Sequence, residues 1–322
     1  MSRDLRLSQI RLRMGLLVLA VVVSAVLFMT LSARGSWSFI LSFRGMKLAG
    51  LALVAIAIAL ATVIFQTLTR NRILTPSIMG FDAMFVLLQT TLVFVLGADV
   101  TGRLDPKLLF AVEVTLLTGL AALLFGWLFG RGNRSLHLVL LVGIVFGTLF
   151  RSISGLMQRI ISPDDFLVLQ DRMFASFNAI DPTLMGFSAL IIFGVCLALW
   201  RLLPVLDVMA LGRDHAIGLG VNHDRMVLVL LALVTLLVAV STALVGPVGF
   251  FGLLVANLAL MLMPSARHAV ILPAAALISM VFLIGGQTIL ERVLRHDTAL
   301  SVVIEFIGGL LFLFLVIRGA AK

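Results

Sequence analysis

Three carboxylates fall inside apolar runs: Asp82, Glu113 and Glu305. A carboxylate at membrane depth is costly, and it faces a cavity, a partner group or a proton path. These three are therefore where lining of a pathway, or coupling to protons or ions, would be sought. Hydrogen bonding between helices is the alternative use. Two basic pairs, Arg44 with Lys47 and Arg292 with Arg295, repeat a spacing of three residues that shares one face of a helix. Such pairs suit either an acidic partner or lipid headgroups. Other chemistry is sparse. The 14 methionines are scattered, and His137, His215, His223, His268 and His296 lie in or near loops without ligand spacing, so no metal site is expected. A lone Cys196 can form no disulfide within the chain. No GxxxxGK[ST] run and no nucleophile–base constellation is present, so no catalytic residue and no cofactor is expected, and the chain should not hydrolyse ATP itself.

The elements that position these groups follow from composition. Of 322 residues, 61% are hydrophobic and 12% charged, with a mean hydropathy of +1.21. A soluble domain could not hide that much apolar surface. In lipid, only a helix bundle or a closed barrel satisfies the backbone. Unbroken apolar blocks such as 16–31 and 228–245 exclude the alternating pattern of barrel strands. The fold class is all-α: a single polytopic membrane domain over 1–322 with about ten transmembrane helices. The runs fall near 13–33, 48–68, 79–97, 108–129, 136–156, 184–203, 226–245, 249–263, 269–290 and 300–318. The eighth is short and bracketed by Pro247 and Pro264. The first, preceded by Arg3, Arg6, Arg11 and Arg13, is too long for a signal-peptide core and reads as a retained span.

The net charge of +9 is topogenic rather than nucleic-acid binding, because no soluble basic domain carries it. With the N-terminus inside, fourteen Lys and Arg fall on the cytoplasmic side and ten outside, which favours that orientation. Glu113 and Glu305 then sit about two turns below the outer face. Two loops exceed a simple turn. The segment 159–182 is acidic and external. The segment 206–225 is cytoplasmic and breaks at Gly212 and Gly220 into short amphipathic pieces. It fits either an interfacial helix or a helix docked in a partner's groove. A short echo, PSIMGFDA at 76–83 and PTLMGFSA at 182–189, opens two spans that run in opposite directions, as an inverted repeat would.

Four stretches, in order, resemble the FecCD-type permease family of iron–siderophore and cobalamin ABC importers. They are FRGMKLAGLALVAIAIALATVIFQTLTRNRILTPSIMGFDA, LGRDHAIGLGVN, VGPVGFFGLLVANLAL and VIEFIGGLLFLFLVIR. The resemblance runs from the first loop to the C-terminus. The sequence departs from the family where Ala256, Asn257 and Leu260 replace a Pro-His…Arg pattern, where Arg70-Asn71-Arg72-Ile73 replaces Arg-Asn-Pro-Leu, and at 297–300. Asn257 and the 305–309 run look like the iron–siderophore branch and point away from cobalamin.

The resemblance implies a type II ABC importer permease fold in the bacterial inner membrane. It also implies two cytoplasmic ATPase subunits, a second permease as homo- or heterodimer, and a periplasmic or lipid-anchored siderophore-binding protein. Leu211, Gly212, Arg213, Asp214, Ala216, Leu219 and Gly220 become the ATPase-coupling segment, with Leu211, Ala216 and Leu219 as the inserted knob. Arg44, Lys47, Arg292 and Arg295 become docking charges for the binding protein. The implied function is ferric-siderophore import by alternating access. An ion- or proton-coupled carrier that needs no ATPase is the alternative from the residues alone.

Overall fold

A computed structural model describes residues 3–31, 36–129, 136–177 and 180–294, together with Val303, Phe306 and 308–310. Among these residues the regular structure is entirely helical. In chain order the helices are α1 (Arg3–Thr30), α2 (Trp37–Thr69), α3 (Phe81–Leu96), α4 (Ala98–Arg103), α5 (Pro106–Phe129), α6 (Leu136–Ile160), α7 (Pro163–Arg172), α8 (Pro182–Met209), α9 (Arg213–Gly218), α10 (His223–Val245), α11 (Phe251–Leu262) and α12 (His268–Thr288). A π-helical turn, Ile289–Leu294, extends α12. Seven of the helices (α1, α2, α5, α6, α8, α10 and α12) are long and apolar enough to cross a membrane, and α3 and α11 are shorter apolar helices. The tenth expected span, 300–318, lies outside the described residues apart from a few positions.

The centre of the bundle is α2, which packs against α8, α10, α11 and α12. Its sequence explains the position: Ala55, Ala57, Ala59 and Ala61 are fully buried, and small side chains let helix backbones approach where lipid offers no hydrophobic drive. In contrast, α1 packs on α12 and exposes Leu12, Leu16, Leu19, Val22 and Val26, as a lipid-facing helix does. At another edge, α6 packs on α3.

Successive spans alternate in direction, so the bundle has two faces. One holds α9, with the ends of α2, α8 and α11 and the start of α12. The opposite face holds α4 and α7. The expected external loop is thus partly helical. Pro163 starts α7, and Ser162 Oγ caps it by accepting the Asp165 N–H at 3.2 Å.

Two helices are too short to span. The 16 residues of α3 cover about 24 Å, and the 12 of α11 about 18 Å, against a hydrocarbon core of about 30 Å. The chain before α3 therefore runs as turns at membrane depth, where irregular backbone survives only when buried in protein. A glycine notch buries it. Gly80 adopts φ +96, and a Cβ there would stand 3.0 Å from Gly147 Cα on α6. Pro182, by contrast, opens α8 at its first turn, while the matching Pro76 lies in turns five residues before α3. The two echoing stretches do open helices of opposite direction, with different local structure.

Candidate functional site

On the α9 face the expected two-glycine pattern is realised. Gly212 (φ +103) ends the α8 connection and Gly220 (φ +83) ends α9. Within the segment, Ala216 is fully buried and faces α8 and α10, so it is not part of an outward knob. The exposed apolar side chains are Leu211 (54%), Ile217 (52%) and Leu219 (62%). Ile217, one of the spaced apolar residues of the segment but not one of the expected knob, replaces Ala216 on that surface. Arg213 reaches Asp224 at the start of α10 at 3.4 Å, which tethers α9 to α10, and Asp214 lies in the first turn of α9. On the same face a groove of about 920 Å³ lies between α1, the end of α8 and the start of α12, lined by Leu7, Ile10, Asp207, Leu211, Pro264 and Val270 among others.

The junction between α2 and α3 stitches this face together. Arg70 ends α2 in the left-handed region (φ 50), and its guanidinium lies on Gly212: a Cβ there would meet Nη1 at 2.9 Å. The Arg72 carbonyl accepts from Gln66 Nε2 at 2.7 Å and from Asn257 Nδ2 at 3.1 Å, joining α2, the junction and α11. Nearby, Thr67 Oγ1, the buried His268 ring and Asp207 form a line, with Nε2 2.8 Å from Thr67 and Nδ1 2.7 Å from Asp207. The order matches a hydrolase triad, but the roles do not. Thr67 Oγ1 lies 2.9 Å from the Val63 carbonyl, a back-bond within its own helix. Asp207 also accepts the His268 backbone N–H at 2.8 Å, which caps α12. The line is a clamp between α2, α8 and α12. Nothing in the sequence pairs these three residues, because each lies on a different helix.

On the α7 face the expected docking charges lie mostly inside the chain. Arg44 is 7% exposed, and its Nη1 donates to the carbonyls of Phe28, Met29 and Leu31 at 3.2, 2.9 and 3.0 Å. Those carbonyls close α1, so a guanidinium there completes the helix end and complements its dipole. Lys47, 8% exposed, pairs with Glu291, which also accepts from Gln287 and meets Arg292 at 3.2 Å. Arg295 lies outside the described residues. The basic side chains that do stand exposed on this face include Arg103, Lys107 and Arg159. Asp165 fixes α7 to α4 by accepting the Ala98 N–H at 2.9 Å, and that bond, with the Ser162 hydroxyl, holds its carboxyl below the ordinary aspartate value.

The pathway candidates separate. Asp82 lies in the first turn of α3, where the helix dipole favours a carboxylate. It lines a small internal cavity of about 20 Å³ with Thr62, Ser77 and Ser241. Glu113 is buried in α5 and accepts from Gln89 Nε2 at 2.7 Å, on the wall of a cavity of about 280 Å³. Glu305 lies outside the described residues. Among the described residues, no group of three or more His, Cys, Asp or Glu is placed to hold a metal ion.

A polar stripe on α6 was missed. Thr148, Arg151, Ser152 and Arg159 are exposed along one side, with Gly155 between them. Thr148 and Ser152 return their hydroxyls to the carbonyls four residues back, both at 2.9 Å. The expected run 136–156 puts Arg151 five residues from its end. Because α6 continues to Ile160, Arg151 lies about 13 Å inside that end. A guanidinium at that depth, on the outside of one chain, needs water or a second protein surface. Its spacing at i, i+3, i+4, i+7 and i+11 was the available signal.

A family model for the FecCD transport family matches residues 9–318. The petrobactin import system permease protein YclO of Bacillus subtilis (strain 168) is 40% identical over 308 residues, covering 96% of this chain and 98% of that protein. The petrobactin import system permease protein FatC of Bacillus anthracis is 34% identical over 278 residues, covering 86% and 78%. Among solved structures, a metal-chelate type ABC transporter in an inward-facing conformation superposes with a TM-score of 0.83 at 22% identity, covering 96% of this chain and 99% of that one.

Proposed function

The chain belongs to the FecCD transport family, and on that premise we propose that it is the membrane-spanning subunit of an ATP-driven importer of ferric siderophores, with petrobactin the first cargo to try. It is a multi-pass protein of the bacterial inner membrane. The observation that carries the cargo is the 40% identity to a petrobactin permease over nearly the full length of both chains. An ion-coupled carrier is not favoured. The α9 face is cytoplasmic and meets an ATPase through Leu211, Ile217 and Leu219. A second permease, identical or different, lies across the exposed side of α6, and the chelate passes along its polar stripe. The α7 face receives the binding protein. With Arg44 and Lys47 engaged inside the chain, Arg103, Lys107 and Arg159 are the described residues that best meet its carboxylates, and charge there governs docking rate more than affinity.

Uptake of a panel of radiolabelled ferric siderophores and of radiolabelled cobalamin by a strain lacking the gene, with and without the plasmid-borne chain, tests the cargo. Restored petrobactin uptake is expected. Restored uptake of cobalamin alone would refute the assignment.

Arg151 gives a second expectation. A ferric chelate of net negative charge is attracted to a cation in a narrow path. Arg151→Glu should lower its uptake by roughly tenfold or more, equivalent to about 1.4 kcal/mol, and Arg151→Lys should retain most of it. Equal uptake by both variants would remove Arg151 from the path.

A further inference from the structure

The cavity beside Glu113 has a largely apolar wall on which a few acceptors converge, Glu113, Asp171 and Gln89 among them. Gln89 is 2% exposed and Glu113 is 5% exposed. The Gln89 amide gives its N–H to Glu113, and its Oε1 is buried without a hydrogen-bond partner among the described residues. Such an orphaned acceptor is costly unless something fills the place. The last turn of α10 lines the same cavity. Its Ala243 carbonyl would ordinarily receive the N–H four residues on, but that residue is Pro247, which has none. A carbonyl-bearing helix end carries partial negative charge. Among the described residues on the wall, Glu113 and Asp171 are carboxylates and Arg172 is the single cation, so this described lining carries one net negative charge.

We infer that this cavity is a binding site for a small monovalent cation such as sodium or potassium, held with part of its water shell by Glu113, Gln89 Oε1 and the end of α10. The volume suits a partly hydrated ion rather than a stripped one. A divalent ion is a poorer match, since calcium and magnesium sites of high affinity bring several carboxylates into the ligand set, and here one of two is balanced by Arg172. Phe174 and Ser176 form one side of this open cavity, and the Ser176 N–H ties that segment to the Val245 carbonyl at 2.7 Å. A bound ion would therefore fasten α3, α5, α10 and the α7 connection to one another. The site lies inside one chain and does not depend on the identity of the cargo.

The test uses the purified permease–ATPase complex in lipid nanodiscs. Its thermal midpoint is followed in sodium, potassium or N-methyl-D-glucamine chloride at equal ionic strength, and binding of radioactive sodium or rubidium is measured directly. Saturable binding of one ion per permease chain, with a midpoint higher in the small cation than in the bulky one, is expected. Glu113→Gln should abolish both. Arg172→Gln should tighten binding, the opposite of what loss of a merely structural residue would do. Equal midpoints in all three salts together with no saturable binding by the unaltered complex would overturn the site. So would binding that Glu113→Gln leaves unchanged.

Discussion

Replacing Ile217 and Leu219 together by Arg is expected to leave the permease folded in the membrane and to stop uptake. Both residues are more than half exposed in the chain itself, so the exchange removes little internal packing. If they enter an ATPase groove, each contributes about 1–2 kcal/mol of further apolar burial there, since about half of each is already covered. Losing both weakens that interface by roughly tenfold or more, since each 1.4 kcal/mol is about tenfold. The neighbouring exchange Ala216→Arg should act differently. Ala216 has no exposed surface, so an arginine there must push α9 off α8 and α10, and loss of folded protein should accompany loss of transport. Co-purification of the ATPase, uptake, and yield of folded permease separate the cases. A double variant that still retains its ATPase and still transports would show that force enters elsewhere.

Lys47→Met is expected to destabilise the chain by about 3 kcal/mol, because removing one partner of a buried pair leaves the other charge uncompensated. The figure is the low end of that range, since Arg292 and Gln287 still reach Glu291. Adding Glu291→Gln should recover much of the loss. The pair's side chains are only 9% and 18% exposed, so salt should change the result little. A thermal unfolding series of the two single variants and the double variant reads this directly. Were Lys47 instead a docking charge, Lys47→Met would leave the midpoint unchanged and alter the salt dependence of binding-protein association.

These two expectations mark what the sequence could and could not convey. Apolar runs and their punctuation revealed the helix bundle, because burial in lipid acts on every residue of a span. Gly212 and Gly220 revealed α9, because a backbone break is a local property. The fate of Arg44 and Lys47 was not legible. Spacing shows that two charges share a helix face, but whether that face meets water depends on α1 and on Glu291, more than 240 residues from Lys47 in the second case. Ala216 shows the same limit within six residues of helix: an apolar residue in an amphipathic piece belongs to one of two apolar surfaces, and only packing decides which. Arg151 was misplaced by a boundary error of four residues, enough to move a charge from a headgroup position into the membrane.

The contact of Arg70 with Gly212 has a mechanical consequence. A side chain at position 212 would act as a compliant spacer between α9 and the end of α2. Glycine leaves the guanidinium against bare backbone, so the joint has little backlash. A push on α9 reaches the most deeply embedded helix of the bundle by a route separate from the α8 and α10 connections. If α9 is where an ATPase pushes, stroke there is not dissipated in loop flexing, and a methyl group added at 212 should cost stability as well as throughput, because φ +103 is a backbone conformation that an L side chain rarely adopts.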